Sequence, residues 1–584
     1  MLLRFADILG NRLDALRDAF AGAIEENEYR GSYLCVYPIK VNQQRHVLQE
    51  ITRFAASHGY GLEAGSKPEL LAVLGLTEGH NDLPIVCNGF KDSEYIETVI
   101  LAAKLGRTII PVVEKYSELE LIVDHATRYD VRPRIGVRVK LSSRGAGRWE
   151  ESGGLRSKFG LYVSEILDAV QYLAERGMAD SLQLLHCHIG SQISDIRSIK
   201  NAVTELAHVY TELCKLGAGM RFLDIGGGLG VDYDGSQTAS ESSMNYSLAE
   251  YAADVVYRVR EVCDDAGVPH PTIITESGRA VTAYHSVLAF DVLGTTGFDR
   301  FEVPPSIEEA AGSRDPNELP QPVWDLYGAA ETAREGDRIE EILHDAQQAH
   351  EEAMNLFRLG YMNLADRALA ERLYWSVCTE LVRRVDLANE ETSDELRTLA
   401  DQLSDIYFCN LSVFQSLPDS WAIGQLFPVL PVHRLREEPT RRAVLADITC
   451  DSEGKIDRFP GGGEARRALP LHPLTPDRPY YLAAFLVGAY QETLGDLHNL
   501  FGDTHAVHVG LDELGQWTID EVVPGDTVRE VLSYVQLDPS ALHESLRRDI
   551  EKAVRGGSLT VREARQLLRF YEHGLDGYTY LEEG

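Results

Sequence analysis

Lysine is scarce in this 584-residue chain, with 11 residues against 45 arginines, and acids outnumber bases to leave a formal net charge of −35. That balance excludes nucleic acid and an anionic membrane as partners, because both present phosphates that an acidic surface repels. It fits a salt-rich cytoplasm, where screening makes high charge tolerable. A GC-rich genome with an ordinary acidic pI explains the arginine bias equally well. The eight cysteines lack C-x-x-C spacing, which excludes a zinc ribbon or a disulfide scaffold and implies a reducing cytosol. No run of about 18 apolar residues is available to span a membrane. The opening MLLRFADILGNRLDALRDAF lacks the basic start and apolar centre of a signal peptide. A cytoplasmic location is expected.

What is present is a rhythm. Hydrophobic residues make up 44% and aromatics 8%, ordinary values for a globular chain, and the length predicts two to four domains. Between Ser32 and Ser277 eight short apolar strands follow one another, and most end in a residue suited to chemistry. Lys40 closes VYPIK, Glu63 closes YGLE, Asn88 closes PIVCN and Glu114 closes TIIPVVE. Arg138 lies in RIGVR, His188 in LLHCHIG, the glycines 226–228 in FLDIGGG and Glu276 in TIITES. Helical stretches are expected at 5–28 and then between the strands, near 42–58, 67–79, 92–106, 115–128, 162–178, 193–217 and 247–267. The alternation implies an α/β fold with a parallel sheet, and eight such units close into a (β/α)8 TIM-type barrel over 1–283. An open Rossmann-type sheet is the alternative.

After Glu276 the rhythm stops. HSVLAFDVL (285–293) reads as a strand, and residues 300–332, rich in Pro, Glu and Gly, read as an exposed loop. Residues 333–403 contain no proline and are expected to form an inserted helical bundle of three or four helices. Strands return from Ile406 in IYFCNLSVFQSL, AVLADITCD, YLAAFLVGAY, HAVHVGLD and QWTIDEVV. They imply a mainly antiparallel β domain, a β-sandwich or β-barrel built from 284–332 and 404–535. Residues 536–584 are expected to be a C-terminal helical segment.

Lys40 is the first chemical candidate. A desolvated lysine can lose its proton and join an aldehyde cofactor covalently; an isolated lysine more often pairs with a carboxylate. Asp224-Ile225-Gly226-Gly227-Gly228-Leu229-Gly230 follows a strand and can cradle a phosphate with backbone amides, or be only a tight turn. Gly278-Arg279 can add to the same phosphate, and Ser191 can donate to it. A carboxylate such as Glu276 beside a pyridine nitrogen keeps that nitrogen protonated; the plainer reading is an ion pair, for example with Arg138. His188 can lie over a cofactor ring or be an ordinary satisfied histidine. Cys450 can protonate a carbanion and Asp451 can bind a cationic substrate, although a strand cysteine is usually inert filling.

Taken together, VYPIKVNQQ (36–44), GLEAGSKPEL (61–70), CNGFKD (87–92), ESGGLRSKFGL (151–161), HCHIGSQ (186–192), LDIGGGLGVDYDG (223–235), ESGRA (276–280) and TCDSEGKID (449–457) resemble the biosynthetic arginine decarboxylases. These are fold-type III pyridoxal-phosphate enzymes related to ornithine and diaminopimelate decarboxylases. The resemblance implies pyridoxal 5'-phosphate carried on Lys40, with His188 stacked on its ring and Glu276 at its pyridinium nitrogen. It implies Ser191, Gly227, Gly228, Gly278, Arg279 and Tyr490 at the phosphate, Arg138 behind the cofactor oxygen, and Glu63 and Glu69 at acidic positions of the second strand and its helix. Cys450 would protonate the α-carbon and Asp451 would meet the substrate guanidinium.

The resemblance further implies L-arginine as substrate, agmatine and carbon dioxide as products, and a role in polyamine synthesis. It implies a homodimer whose Cys-Asp pair crosses between subunits, or a dimer of such dimers, and a requirement for Mg2+ at a site that the sequence does not place. Another basic amino acid such as lysine, or a cofactor-free pseudoenzyme that regulates a partner, are the other readings. Two departures stand out. Leu411 follows Asn410 where ornithine decarboxylases carry an aspartate, which disfavours a short diamine. The family also carries several dozen residues, including a β-domain strand, before its first helix; this chain begins near that helix, so either its start is misassigned or its β domain lacks an edge strand.

Overall fold

A computed structural model describes residues 1–142, 157–298, 300–312, 315–335, 338–387, 389 and 391–582. The ESGGLR part of one motif, 151–156, lies outside the described residues. The chain opens on a short strand, Leu2–Phe5 (β1), and the helix Ala6–Glu26. Eight parallel strands follow: Tyr33–Pro38 (β2), Gly61–Ala64 (β3), Ile85–Cys87 (β4), Ile109–Val113 (β5), Ile135–Arg138 (β6), Leu182–His186 (β7), Phe222–Asp224 (β8) and Thr272–Thr275 (β9). They close on themselves, with Tyr33 of β2 paired to Ile273 of β9. Closure removes the open-sheet alternative. The residues of β3, β4, β5 and β6 are buried throughout. This is why runs of Val, Ile and Leu form them: helices cover one face and the barrel interior the other. Ser66, Asp92, Asp195 and Ser247 cap the helices that follow or precede these strands by accepting backbone N–H bonds, which sets where each helix begins.

The β domain contains Ser286–Thr296 (β10), Asp405–Cys409 (β11), Val429–Pro431 (β12), Arg441–Ala446 (β13), Lys455–Ile456 (β14), Leu469–Leu471 (β15), Tyr481–Phe485 (β16), Ala506–Leu511 (β17) and Trp517–Val523 (β18). Its pairings are antiparallel except β1 with β17 and β11 with β13. A strand does precede the first helix: β1 lies inside the sheet, between β10 and β17. Its four residues alternate between buried and half-buried, but so short a period-two signal is masked by the helical pattern that starts beside it.

Residues 300–332 are corrected. Ile307–Ala311 and Gln321–Glu335 are helices, and Val323, Leu326 and Ala330 share a core with Leu343, Leu373 and Val377. The inserted bundle therefore starts well before residue 333. Pro322 occupies the second position of its helix, where a missing N–H leaves no bond unmade. The rest of the bundle is Ile339–Arg358, Leu364–Arg383 and Asp394–Gln402. IYFCNLSVFQSL is a strand only as far as Cys409; Val413–Ser416 and Pro418–Ile423 are helical, the first capped by Ser412. The C-terminal helices begin at Val528, ahead of the expected 536.

Candidate active site

The C-terminal ends of the barrel strands converge on two adjoining cavities that share Lys40, His188 and Glu276. β2 stops at Pro38, and a single 3-10 turn, Ile39–Val41, lifts Lys40 to the rim. Its Nζ stands 3.6 Å from Glu63 Oε2, and Glu63 is fully buried at the end of β3. Neither carboxylate oxygen of Glu63 accepts a hydrogen bond among the described residues. The expected loss of the lysine proton through desolvation is outweighed: the negative charge of Glu63 raises Lys40 above the ordinary lysine value against the effect of burial. The amine is therefore a cation in this arrangement.

One cavity is lined by Ser191, Gly227, Gly228, Gly278, Arg279 and Tyr490. Arg279 donates from Nη1 to the Tyr233 hydroxyl at 2.9 Å and from Nη2 to Ser191 Oγ at 3.3 Å, and its guanidinium lies 4.8 Å from the centre of the Tyr490 ring. The Tyr490 amide donates to the Val41 carbonyl at 2.8 Å, which ties this loop of the β domain to the lysine turn. The glycine run has a steric cause. Gly226 (φ +68°) would place a Cβ 2.3 Å from the Cys187 carbonyl oxygen, and Gly228 (φ +116°) would place one 2.6 Å from Ile193. Gly226→Ala is expected to lower the melting temperature and cofactor retention together, since strain of about 1–3 kcal/mol adds to the clash. Gly235→Ala, at φ +73° with open space around its Cβ, carries the strain alone and serves as the control in a thermal melt and a dialysis assay.

The other cavity is lined by Glu63, Glu69, Asn88, Glu114, Arg138, Phe159 and His186 besides the shared three. Arg138 pairs with Glu114 at 3.3 Å; the ion pair considered between Arg138 and Glu276 does not form. Instead Asn88 Nδ2 donates to Glu276 Oε1 at 2.7 Å. Burial, reinforced by Asp224, pushes the Glu276 carboxyl up to about 8. Burial first, then Arg138 and Lys40, holds His188 well below the ordinary histidine value, so its ring is neutral, and its Nδ1 has no hydrogen bond among the described residues. Glu69 accepts from the Gly65 amide at 2.7 Å.

Cys450 and Asp451 line neither cavity of their own chain. They sit on a turn after β13 that Asp447 organises, accepting from the Thr449 amide and hydroxyl and from the Val413 amide. Asn499 Oδ1 accepts from the Cys450 amide at 2.9 Å, and His498 lies 3.4 Å from Asp451. Cys450 is exposed, and all eight cysteines are free.

This arrangement fits pyridoxal phosphate. The amine, the unbonded carboxylate facing it, a glycine cradle that any side chain would fill, and a serine–arginine pair match the aldehyde and phosphate. A second carboxyl and a neutral imidazole line the space between. A magnesium ion is not matched. Among the described residues the grouped donor set is His186, Asp224 and Glu276, fully buried, and one nitrogen with two oxygens is not the hydrated oxygen octahedron magnesium takes.

Comparison with known proteins agrees with this chemistry. Residues 16–283 match the family described as pyridoxal-dependent decarboxylase, pyridoxal binding domain. Residues 316–400 match an arginine decarboxylase helical bundle domain, and 528–581 an arginine decarboxylase C-terminal helical extension. The chain is 51% identical to a biosynthetic arginine decarboxylase of Rhodopirellula baltica, over 100% of this chain and 90% of that protein. It belongs to the biosynthetic arginine decarboxylases. A relative from Gloeobacter violaceus is 50% identical, over 100% of this chain and 89% of that protein. The crystal structure of the biosynthetic arginine decarboxylase of Campylobacter jejuni superposes with a TM-score of 0.86 at 33% identity, covering 100% of this chain and 92% of that one. The cofactor of this arginine decarboxylase family member is pyridoxal phosphate. No helix among the described residues is long and apolar enough to cross a membrane.

Sequence reasoning placed the lining residues but passed over His186 and Asp224 as a pair and over the Asn88 bond to Glu276. The available signal was spacing: His186 and His188 stand two apart at a strand end and so share a side.

Proposed function

We infer that this protein decarboxylates L-arginine to agmatine and carbon dioxide for polyamine synthesis. The carrying observation is Lys40 Nζ at the barrel mouth, 3.6 Å from buried Glu63 and sharing a cavity with the glycine, Ser191 and Arg279 cradle. When bound, pyridoxal phosphate supplies an aldehyde for amines and a ring that accepts electrons from the substrate α-carbon.

The chain's residues divide the remaining work. Lys40 is the attaching amine, aimed by Glu63 and cationic until it gives up the proton it must lose to attach. Ser191, Arg279, Tyr490 and the backbone at Gly227, Gly228 and Gly278 would hold the phosphate. His188 would lie against the ring, and Glu276, steadied by Asn88, would meet the ring nitrogen. Arg138, fixed by Glu114, would stand behind the cofactor oxygen. Sγ of Cys450 would deliver a proton to the former α-carbon, and Asp451 would receive the guanidinium.

Because Cys450 and Asp451 are apart from their own chain's cavities, they serve a second copy, and the working unit is a homodimer with shared sites or a pair of such dimers. A cytoplasmic setting suits its free thiols. The family's magnesium requirement has no fitting set among the described residues, and no step runs through it. Leu411, 2% exposed within the β-domain core, puts no second acid where a short diamine would need one. Carbon dioxide release with arginine, lysine and ornithine side by side tests the reading. Arginine is expected to exceed the others by at least about a hundredfold, since a site that hydrogen-bonds a particular group rejects substrates lacking it on that scale or beyond; a lysine rate equal to that of arginine would overturn it.

A further inference from the structure

Beneath Glu276 lies a pair of side chains that no step above uses. His186 ends β7 and Asp224 ends β8, and the strand register sets them side by side. They are 1% and 0% exposed. His186 Nδ1 stands 3.1 Å from Asp224 Oδ2, and neither atom makes a hydrogen bond among the described residues. One polar atom from each of His186, Asp224 and Glu276 lies within 4.8 Å of the others. Buried polar atoms left without bonds are costly unless they have a use. The charges facing this cluster are Glu63, Glu114, Arg138 and Lys40. Arg138 is paired with Glu114, and Lys40 with Glu63. His186 is thus the group within the cluster able to become a cation.

We propose that His186, backed by Asp224, is a positioning residue for Glu276: an internal proton acceptor that lets Glu276 meet the cofactor's ring nitrogen as a carboxylate. The transfer balances. The O–H bond of the Glu276 carboxyl breaks, Asp224 takes that proton and gives it up to His186 Nδ1 3.1 Å away, where an N–H bond forms, and net charge is unchanged. The new N–H lies beside Asp224 Oδ2, while Asp224 Oδ1 accepts the Gly226 amide at 2.9 Å. Burial creates the need for such a partner, since it pushes Glu276 up to about 8 and Asp224 up to about 7; it also keeps the imidazole below its ordinary value, so the transfer waits on a positive charge at the ring nitrogen to hold Glu276 ionised. Left alone, the cluster keeps its protons on the carboxyls near neutral pH. The role rests on the reading of Glu276 as the partner of the ring nitrogen.

The test compares cofactors rather than rates. Holoprotein is equilibrated with pyridoxal phosphate and its 1-deaza analogue, in which carbon replaces the ring nitrogen, and the ratio retained is measured by mass spectrometry. Wild type is expected to prefer the natural cofactor. His186→Gln is expected to cut that preference about tenfold, the equivalent of one unit in the ionisation of Glu276, and Glu276→Gln to cut it at least as far. A histidine that merely filled space would change retention of both cofactors alike. An unchanged ratio in His186→Gln beside a reduced ratio in Glu276→Gln overturns the role of His186 and leaves that of Glu276 standing. An unchanged ratio in both removes the Glu276 reading and this proposal with it. If His186→Gln does not fold, Asp224→Asn is read on the same scale, with the same two outcomes.

Discussion

Lys40→Ala is expected to give a colourless protein whose turnover falls by about 10⁴-fold or more, because a properly placed reacting group acts at an effective concentration of roughly 10⁵–10⁸ M. The substitution has a second effect. It strips the counter-charge from Glu63, whose carboxylate is fully buried, but Lys40 itself is 46% exposed, so the loss of stability falls below that of a fully buried pair. Lys40→Arg separates the two. It keeps the positive charge beside Glu63 but offers a guanidinium that stays protonated and cannot join an aldehyde. It should therefore be as inactive as the alanine variant and melt closer to wild type. Borohydride treatment of wild-type holoprotein followed by peptide mapping should place the label on Lys40. A label on another lysine, or retained turnover in either variant, would remove Lys40 from the anchor position.

Cys450→Ala is expected to slow product release by about 10²–10⁴-fold, the usual contribution of a positioned general acid, or to divert the proton to the wrong carbon. Asp451→Ala should act on KM for arginine, by roughly 30-fold to several thousandfold, as loss of a charge pair of about 2–5 kcal/mol predicts. Both residues sit on the turn ordered by Asp447, away from the cavities of their own chain. Complementation tests this directly. Lys40→Ala and Cys450→Ala subunits, each inactive alone, are mixed and allowed to exchange. Half of the dimers then carry one intact site of two, so about a quarter of wild-type activity should return, following from the twofold symmetry of a shared interface. Exchange without recovery would place Cys450 in its own chain's site or outside the chemistry.

The barrel was legible because each strand is a buried run of Val, Ile and Leu that ends abruptly in a polar residue, and a helix pattern follows. Lys40, Glu63, Arg138, His188 and Glu276 stand out for the same reason, as polar groups where apolar ones stop. The misreadings have local causes. Gln321–Glu335 hides behind Pro316, Pro320 and Pro322, which signal a loop although prolines also begin helices. Leu2–Phe5 offers only four alternating residues beside a strongly amphipathic helix. The turn after Cys409 continues an apolar run, yet Ser412 caps a helix there. His186 and Asp224 escaped because their meeting depends on the pairing of β7 with β8, and lateral register is set by closure of the whole barrel rather than by either strand's own residues.

The place of β1 bears on biosynthesis. Leu2 leaves the ribosome well before its neighbour Ala506, which lies about 500 residues downstream, a delay of roughly 25–100 s at translation speeds of about 5–20 residues per second. Throughout that interval the opening strand has no finished sheet to join. Nascent chains should therefore complete the barrel before Ala506 is made and seal the second domain only afterwards.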